Sequence, residues 1–99
     1  MLYVIMGVDA DNSLQIRPTV RPSHLERVQQ LKDEGRLVIA GPHPAIDSPD
    51  PGPAGFSGSL IIAEFPDLEA ATSWAKADPY HLAGVFRSIT VKPLIQVLP

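Results

Sequence analysis

Residues 36–65 read RLVIAGPHPAIDSPDPGPAGFSGSLIIAEF, and this stretch decides the fold. Arg36 to Ala40 is a short run of branched apolar residues ended by Gly41-Pro42, as expected of a buried strand. Residues 42–55 carry five of the chain's 11 prolines (Pro42, Pro44, Pro49, Pro51 and Pro53) together with Gly52 and Gly55, a composition that predicts an irregular loop. Ser59 to Phe65 then reads as another strand, closed by Pro66. Two strands joined by a loop, with no helix between them, sit at the middle of the chain.

Outward from this centre the flanks match. Leu2 to Val8 is a strand, and the polar stretch Asp9 to Gln15 breaks it. Pro18, Thr19, Arg21 and Pro22 mark a helix entry, since proline is tolerated in a first turn where its missing N–H has no intrahelical use. Leu25, Val28 and Leu31 recur at helical spacing, and Gly35 is the stop. On the other side Asp67 is the N-cap of a helix through Ala77, with Leu68, Ala71, Trp74 and Ala75 on one face. Asp78-Pro79-Tyr80 interrupts it, Gly84 turns the chain, and Phe86 to Lys92 is the last strand before Pro93 and the apolar tail Leu94 to Leu98. The order is β-α-β-β-α-β. Two right-handed crossover units of this kind predict an α+β ferredoxin-like sandwich, a four-stranded antiparallel sheet with both helices on one face. The other face then needs a cover, and a second copy supplies it, so a homodimer of the α+β barrel type is expected.

Composition narrows the function. At 99 residues the chain suits one domain, residues 1–99, with an ordinary 44% apolar and 19% charged content. The net charge of −3 and only eight Lys and Arg argue against nucleic-acid binding, which draws on cations at phosphates. There is no cysteine, which removes disulfides, thiolate nucleophiles and Cys-based zinc sites and suits a cytoplasmic protein. Leu2 to Met6 is too short, and lacks the basic start, for a signal peptide. No segment approaches the ~20 apolar residues that cross a bilayer, so no membrane partner is expected.

The common motifs fail on inspection. Gly55-Phe-Ser-Gly-Ser59 closes its glycine one residue early for a nucleophile elbow. Asp9-Ala-Asp-Asn-Ser13 begins like a calcium loop, but Leu14 stands where its glycine belongs and Val20 where its bidentate Glu belongs. The histidines have no metal-ligand spacing, so no metal is expected.

Five residues stay as candidates. His24 shares the Val28 and Leu31 face of the first helix, and a histidine there can move protons near neutral pH. A core-edge histidine bonded to backbone explains the same spacing. Asp78 caps the turn beginning at Pro79, and it can also orient His24 from the equivalent end of the second half. Tyr80 offers a hydroxyl, and Arg21 a cation for a carboxylate or phenolate, with Gly41 at the pocket as well. His43 and His81 read as surface residues, Trp74 as core.

With these residues identified, the chain resembles the YciI-like (YCII-related) family. The resemblance is carried by Arg21-Pro-Ser-His24-Leu25 leading to Leu31 and Gly35, Leu37-Val-Ile-Ala-Gly-Pro42, Gly58, Ala70-Ala71, Trp74, Asp78-Pro79-Tyr80, Ala83-Gly-Val-Phe86 and Pro93. It implies a ferredoxin-like dimer with a pocket in which a His and an Asp act together, here His24 and Asp78. Similar folds include muconolactone isomerases and a dehydrochlorinase of chlorinated hydroxyquinols, which points to proton transfer on small ring compounds. The expected function is a small cofactor-free lyase or isomerase acting on a small-molecule ligand. The competing expectation is a non-enzymatic binding or structural dimeric domain. Residues 42–55 are longer than the family implies and are expected to act as a lid.

Overall fold

The chain forms β1 (Leu2–Asp9), α1 (Ser13–Asp33), β2 (Leu37–Pro44), β3 (Phe56–Glu64), α2 (Leu68–Lys76), α3 (Pro79–Leu82) and β4 (Phe86–Leu94). These elements come from a computed structural model that describes all 99 residues. The four strands make one antiparallel sheet in the order β2-β3-β1-β4, the ferredoxin-like α+β arrangement the element order predicts. Tyr3 and Ile5 of β1 and Ile61 and Ala63 of β3 point to the helices, where they meet Val28 and Leu31 of α1 and Ala71 and Ala75 of α2. Asp67 caps α2 by accepting from the Ala70 N–H at 2.8 Å, as its position suggested. No helix is long and apolar enough to cross a membrane.

Strand alternation puts the intervening residues on the opposite face. There Ile39, Ile62 and Val4 stand in one row across β2, β3 and β1, and Ile39 is 55% exposed. An apolar row of this kind is left uncovered by the chain's own helices.

The first helix differs from its expected start. It begins at Ser13, five residues ahead of Pro18, and both Pro18 and Pro22 lie inside it. Interior prolines cost about 3 kcal/mol each, because they remove a helix hydrogen bond and crowd the preceding turn. The extra turn is held by tertiary contacts instead. Ser13 is buried, and Arg17 makes a two-pronged ion pair with Asp9.

The proline-rich segment is also more regular than expected. β2 runs on through Pro42, His43 and Pro44, which pair with Ser59, Gly58 and Phe56 of a β3 that starts three residues early. β2 is an edge strand with a neighbour on one side only, so a proline can lose its N–H without breaking a central ladder. Gly52–Ala54 forms a turn of 3₁₀ helix, and the Ala45 N–H donates to the Gly55 carbonyl at 2.9 Å to close the loop.

Two glycines bring the sheet close to the site. A Cβ on Gly58 would collide with the carbonyl oxygen of Gly7, and one on Gly7 would lie 2.7 Å from the Phe86 ring. Phe86 therefore lies flat over the strand, and its ring meets Tyr80 edge-on at 5.7 Å.

Candidate functional site

α1 buries Ser13, Arg17, His24, Val28 and Leu31, a stripe with helical spacing. Val28 and Leu31 anchor it in the core, which fixes the direction in which His24 and Arg17 leave the helix. His24 is 8% exposed, and its Nδ1 lies 2.9 Å from both carboxylate oxygens of Asp78. Asp78 is set by its own local role. It caps α3 with extended backbone, and its Oδ1 accepts from the Tyr80 N–H at 2.8 Å. The cap and the pairing with histidine are thus made by one side chain.

An ionised carboxylate can only accept, so Nδ1 carries the proton of the neutral ring and Nε2 keeps its lone pair. No protein group bonds Nε2. Behind Asp78, Arg27 puts Nη1 3.9 Å from Oδ2, while its Nη2 donates to the Trp74 carbonyl at 3.0 Å. Asp78 therefore lies between an imidazole and a guanidinium.

Tyr80 stacks on His24 with ring centroids 3.9 Å apart and is 3% exposed. Burial raises the pKa of its phenol above 10.0; Arg17 and Arg21 pull it back in part, and the charge of Asp78 adds to the rise. At neutral pH it is a hydroxyl, and a donor.

These groups meet at a cavity of ≈ 470 Å³ between α1 and the β2–β3 edge of the sheet. His24, Tyr80, Arg21 and Gly41 line it, so four of the five sequence candidates converge. Asp78 does not reach the cavity and lies behind the imidazole. Arg21 is exposed at the rim, as is His43 on the outer edge. His81 is not the free surface residue expected: it is half-buried, with Nδ1 buried and unpartnered. Trp74 is half-buried against the core. Of residues 42–55, expected to act as a lid, Pro42 alone lines this cavity. Beyond it, Gly55 packs beside Leu14, which lines the cavity.

Arg17 was missed. It lines the cavity floor, 6% exposed, with its guanidinium 4.9 Å from the Phe56 and Tyr80 ring centroids. The signal was present: with the helix begun at Ser13, Arg17 stands seven residues before His24 on the same face.

The YCII-related domain model matches residues 1–95. The chain belongs to the YCII-related family. Family members at high identity include the YciI proteins of Escherichia coli and Shigella flexneri, each 60% identical over 97 residues, covering 98% of this chain and 99% of theirs. An uncharacterised Haemophilus influenzae protein is 50% identical over the same 97 residues, with the same coverage. Among solved structures, the chain is similar to 5-chloro-2-hydroxyhydroquinone dehydrochlorinase (TftG) from Burkholderia phenoliruptrix in complex with 2,5-dihydroxybenzoquinone. That match has a TM-score of 0.82 and 26% identity, covering 96% of this chain and 94% of the other.

Proposed function

We propose that this chain is a cofactor-independent enzyme of the lyase or isomerase type, moving a proton on a small oxygenated ring compound. The observation that carries the reading is the His24–Asp78 pair at the cavity wall, with Nδ1 engaged and Nε2 free. Nε2 takes a proton from a carbon next to an oxygen-bearing carbon of the substrate. Asp78 holds the tautomer and stabilises the imidazolium that forms. Negative charge moves onto the substrate oxygen, where the Tyr80 hydroxyl and Arg21 receive it. Return of the proton to a second carbon completes an isomerisation; departure of an anionic leaving group completes an elimination. The likeness to a dehydrochlorinase acting on a ring compound supports the second course.

The homodimer belongs to the same proposal. Its support is the uncovered row Val4, Ile62 and Ile39, which a second sheet would bury. We take the protein to work in the cytoplasm, which its cysteine-free composition suits.

Thermal melting with and without 2,5-dihydroxybenzoquinone, the ligand held by the dehydrochlorinase, gives the first test. A ligand bound only by the folded state raises the melting temperature. Proton transfer is then read as His24-dependent deuterium exchange into bound ring compounds. Exchange that persists in His24→Asn would remove the reading.

A further inference from the structure

The proton-transfer reading uses every polar group of the cavity except two, Arg17 and Ser59. Both are buried, at 6% and 7% exposure, and both line the cavity. Arg17 commits Nε to Asp9 Oδ2 at 2.8 Å, and Nη2 to Asp9 Oδ1 at 2.8 Å, Gly58 O at 3.3 Å and Ser59 Oγ at 3.2 Å. Its Nη1 makes none of these bonds, although the guanidinium also interacts with the Tyr80 hydroxyl beside it. The fully buried side-chain atoms without a partner are Arg27 Nη1 and His81 Nδ1, so Arg17 Nη1 retains access to the cavity. Ser59 Oγ accepts from Arg17, which leaves its own O–H free to donate. Two fixed donors, one of them charged, therefore border the cavity with no carboxylate or carbonyl accepting from Nη1 or from the Ser59 hydroxyl.

A buried ion pair is poor evidence for stability, because desolvation offsets its attraction and apolar packing does as well. Here Asp9, Phe56 and Tyr80 hold the guanidinium in one orientation, which matters if its free edge must meet a ligand. The charges point the same way. Asp9 balances Arg17, whereas Arg21 at the rim has no ion-pair partner, so the mouth carries an unmatched positive charge. Arg17, Arg21 and His24 succeed one another at spacings of four and three along α1 and all line the cavity. At ~1.5 Å of rise per residue, Arg17 and His24 stand about 10 Å apart along the helix. That span suits one ring bearing one polar substituent.

We propose that the cavity takes a planar, single-ring anion whose charged oxygen is bound by Arg17 Nη1 and the Ser59 hydroxyl, with its reacting carbon at the His24 end. Arg21 draws the anion to the mouth. The proposal rests on the proton-transfer reading in placing the substrate in this cavity, and it adds the ligand's charge and its direction.

The test is titration calorimetry of the full chain with 4-hydroxybenzoate and its neutral counterpart 4-hydroxybenzamide. The anion is expected to bind about tenfold more tightly or better, the margin of a hydrogen bond to a charged group. Ser59→Ala should weaken the anion by about the same factor and leave the amide unchanged. Arg17→Lys, which keeps a cation beside Asp9 but removes the fork, should abolish the preference, with circular dichroism reporting whether it folds. Ser59→Ala decides the matter if Arg17→Lys does not fold. Equal affinities for the two probes, no binding of the anion, or an unaffected Ser59→Ala would each overturn the proposal. Anion preference without any deuterium exchange would sustain it while removing the enzyme reading. His24-dependent exchange without anion preference would do the reverse.

Discussion

The imidazole of His24 lies face to face with the phenol of Tyr80, centroids 3.9 Å apart and planes within 12°. The stack covers one face of each ring and leaves their edges to act. The ring of His24 cannot swing without losing both the stack and the Asp78 hydrogen bonds. An imidazole held this way keeps Nε2 in a fixed place, which is what the proposed proton transfer at a defined carbon needs.

His24→Asn tests the base directly. The amide can still donate to Asp78, so folding stability should drop by no more than about 1–2 kcal/mol. Proton transfer should fall by about 10²-fold or more, the usual weight of a general base. Urea unfolding and deuterium exchange measure the two sides. Equal losses in both would mark His24 as structural.

Asp78→Ser separates the cap from the pairing. Serine accepts the Tyr80 N–H nearly as well, so α3 should persist with about 1 kcal/mol lost from the cap itself. The imidazole loses the acceptor that fixes its tautomer. Nitrogen-15 NMR of His24 should show a single Nδ1-protonated form in the parent protein at alkaline pH and a mixture in the variant. A single tautomer in both proteins would mean that Asp78 does not orient the ring.

Tyr80→Phe bears on alkaline stability. The phenol's pKa is raised in the folded protein above its ordinary 10.0, with burial the main cause. Below about pH 10 both states hold this proton and the contribution is complete. As pH rises further, the unfolded chain gives up the proton first, so stability falls until the folded-state pKa is passed. The parent protein should therefore lose more stability between about pH 9 and pH 12 than Tyr80→Phe does. Parallel curves would contradict the buried-phenol account.

Much of this geometry is legible in the sequence because it depends on local rules. Asp67 and Asp78 each precede a short helix at a capping position, and both cap it. His24 shares a helical face with Val28 and Leu31, and the core residues carry it to the cavity. What escaped came from tertiary contacts overruling local ones. Pro18 and Pro22 signal a helix start, and the Arg17–Asp9 ion pair moves that start one turn and more upstream. Pro42 and Pro44 signal a loop, and the one-sided pairing of an edge strand admits them. The first of these hid a site residue: a helix that begins at Pro18 has no place for Arg17 on the cavity floor.

Assembly gives the fourth prediction. Sedimentation at micromolar concentration should show a dimer for the parent chain. Ile39→Asp puts a charge in the row with Ile62 and Val4, at a position already 55% exposed. It should yield a monomer with stability changed by about 0.5 kcal/mol or less. A dimer that survives Ile39→Asp would mean that the partner sits elsewhere.

His24 and Asp78 are 54 residues apart, one on the helix of the first β-α-β half and the other where α2 gives way to α3 in the second. A growing chain therefore exposes the histidine long before its carboxylate has been made. Until the second half docks, that imidazole has the tautomeric freedom of any surface side chain. Contacts so distant in sequence form late, after the loop-closure entropy has been met. On the proposed function the chemistry is thereby tied to completion: a truncated or half-folded copy would hold an inert histidine, and only a finished fold would hold a base.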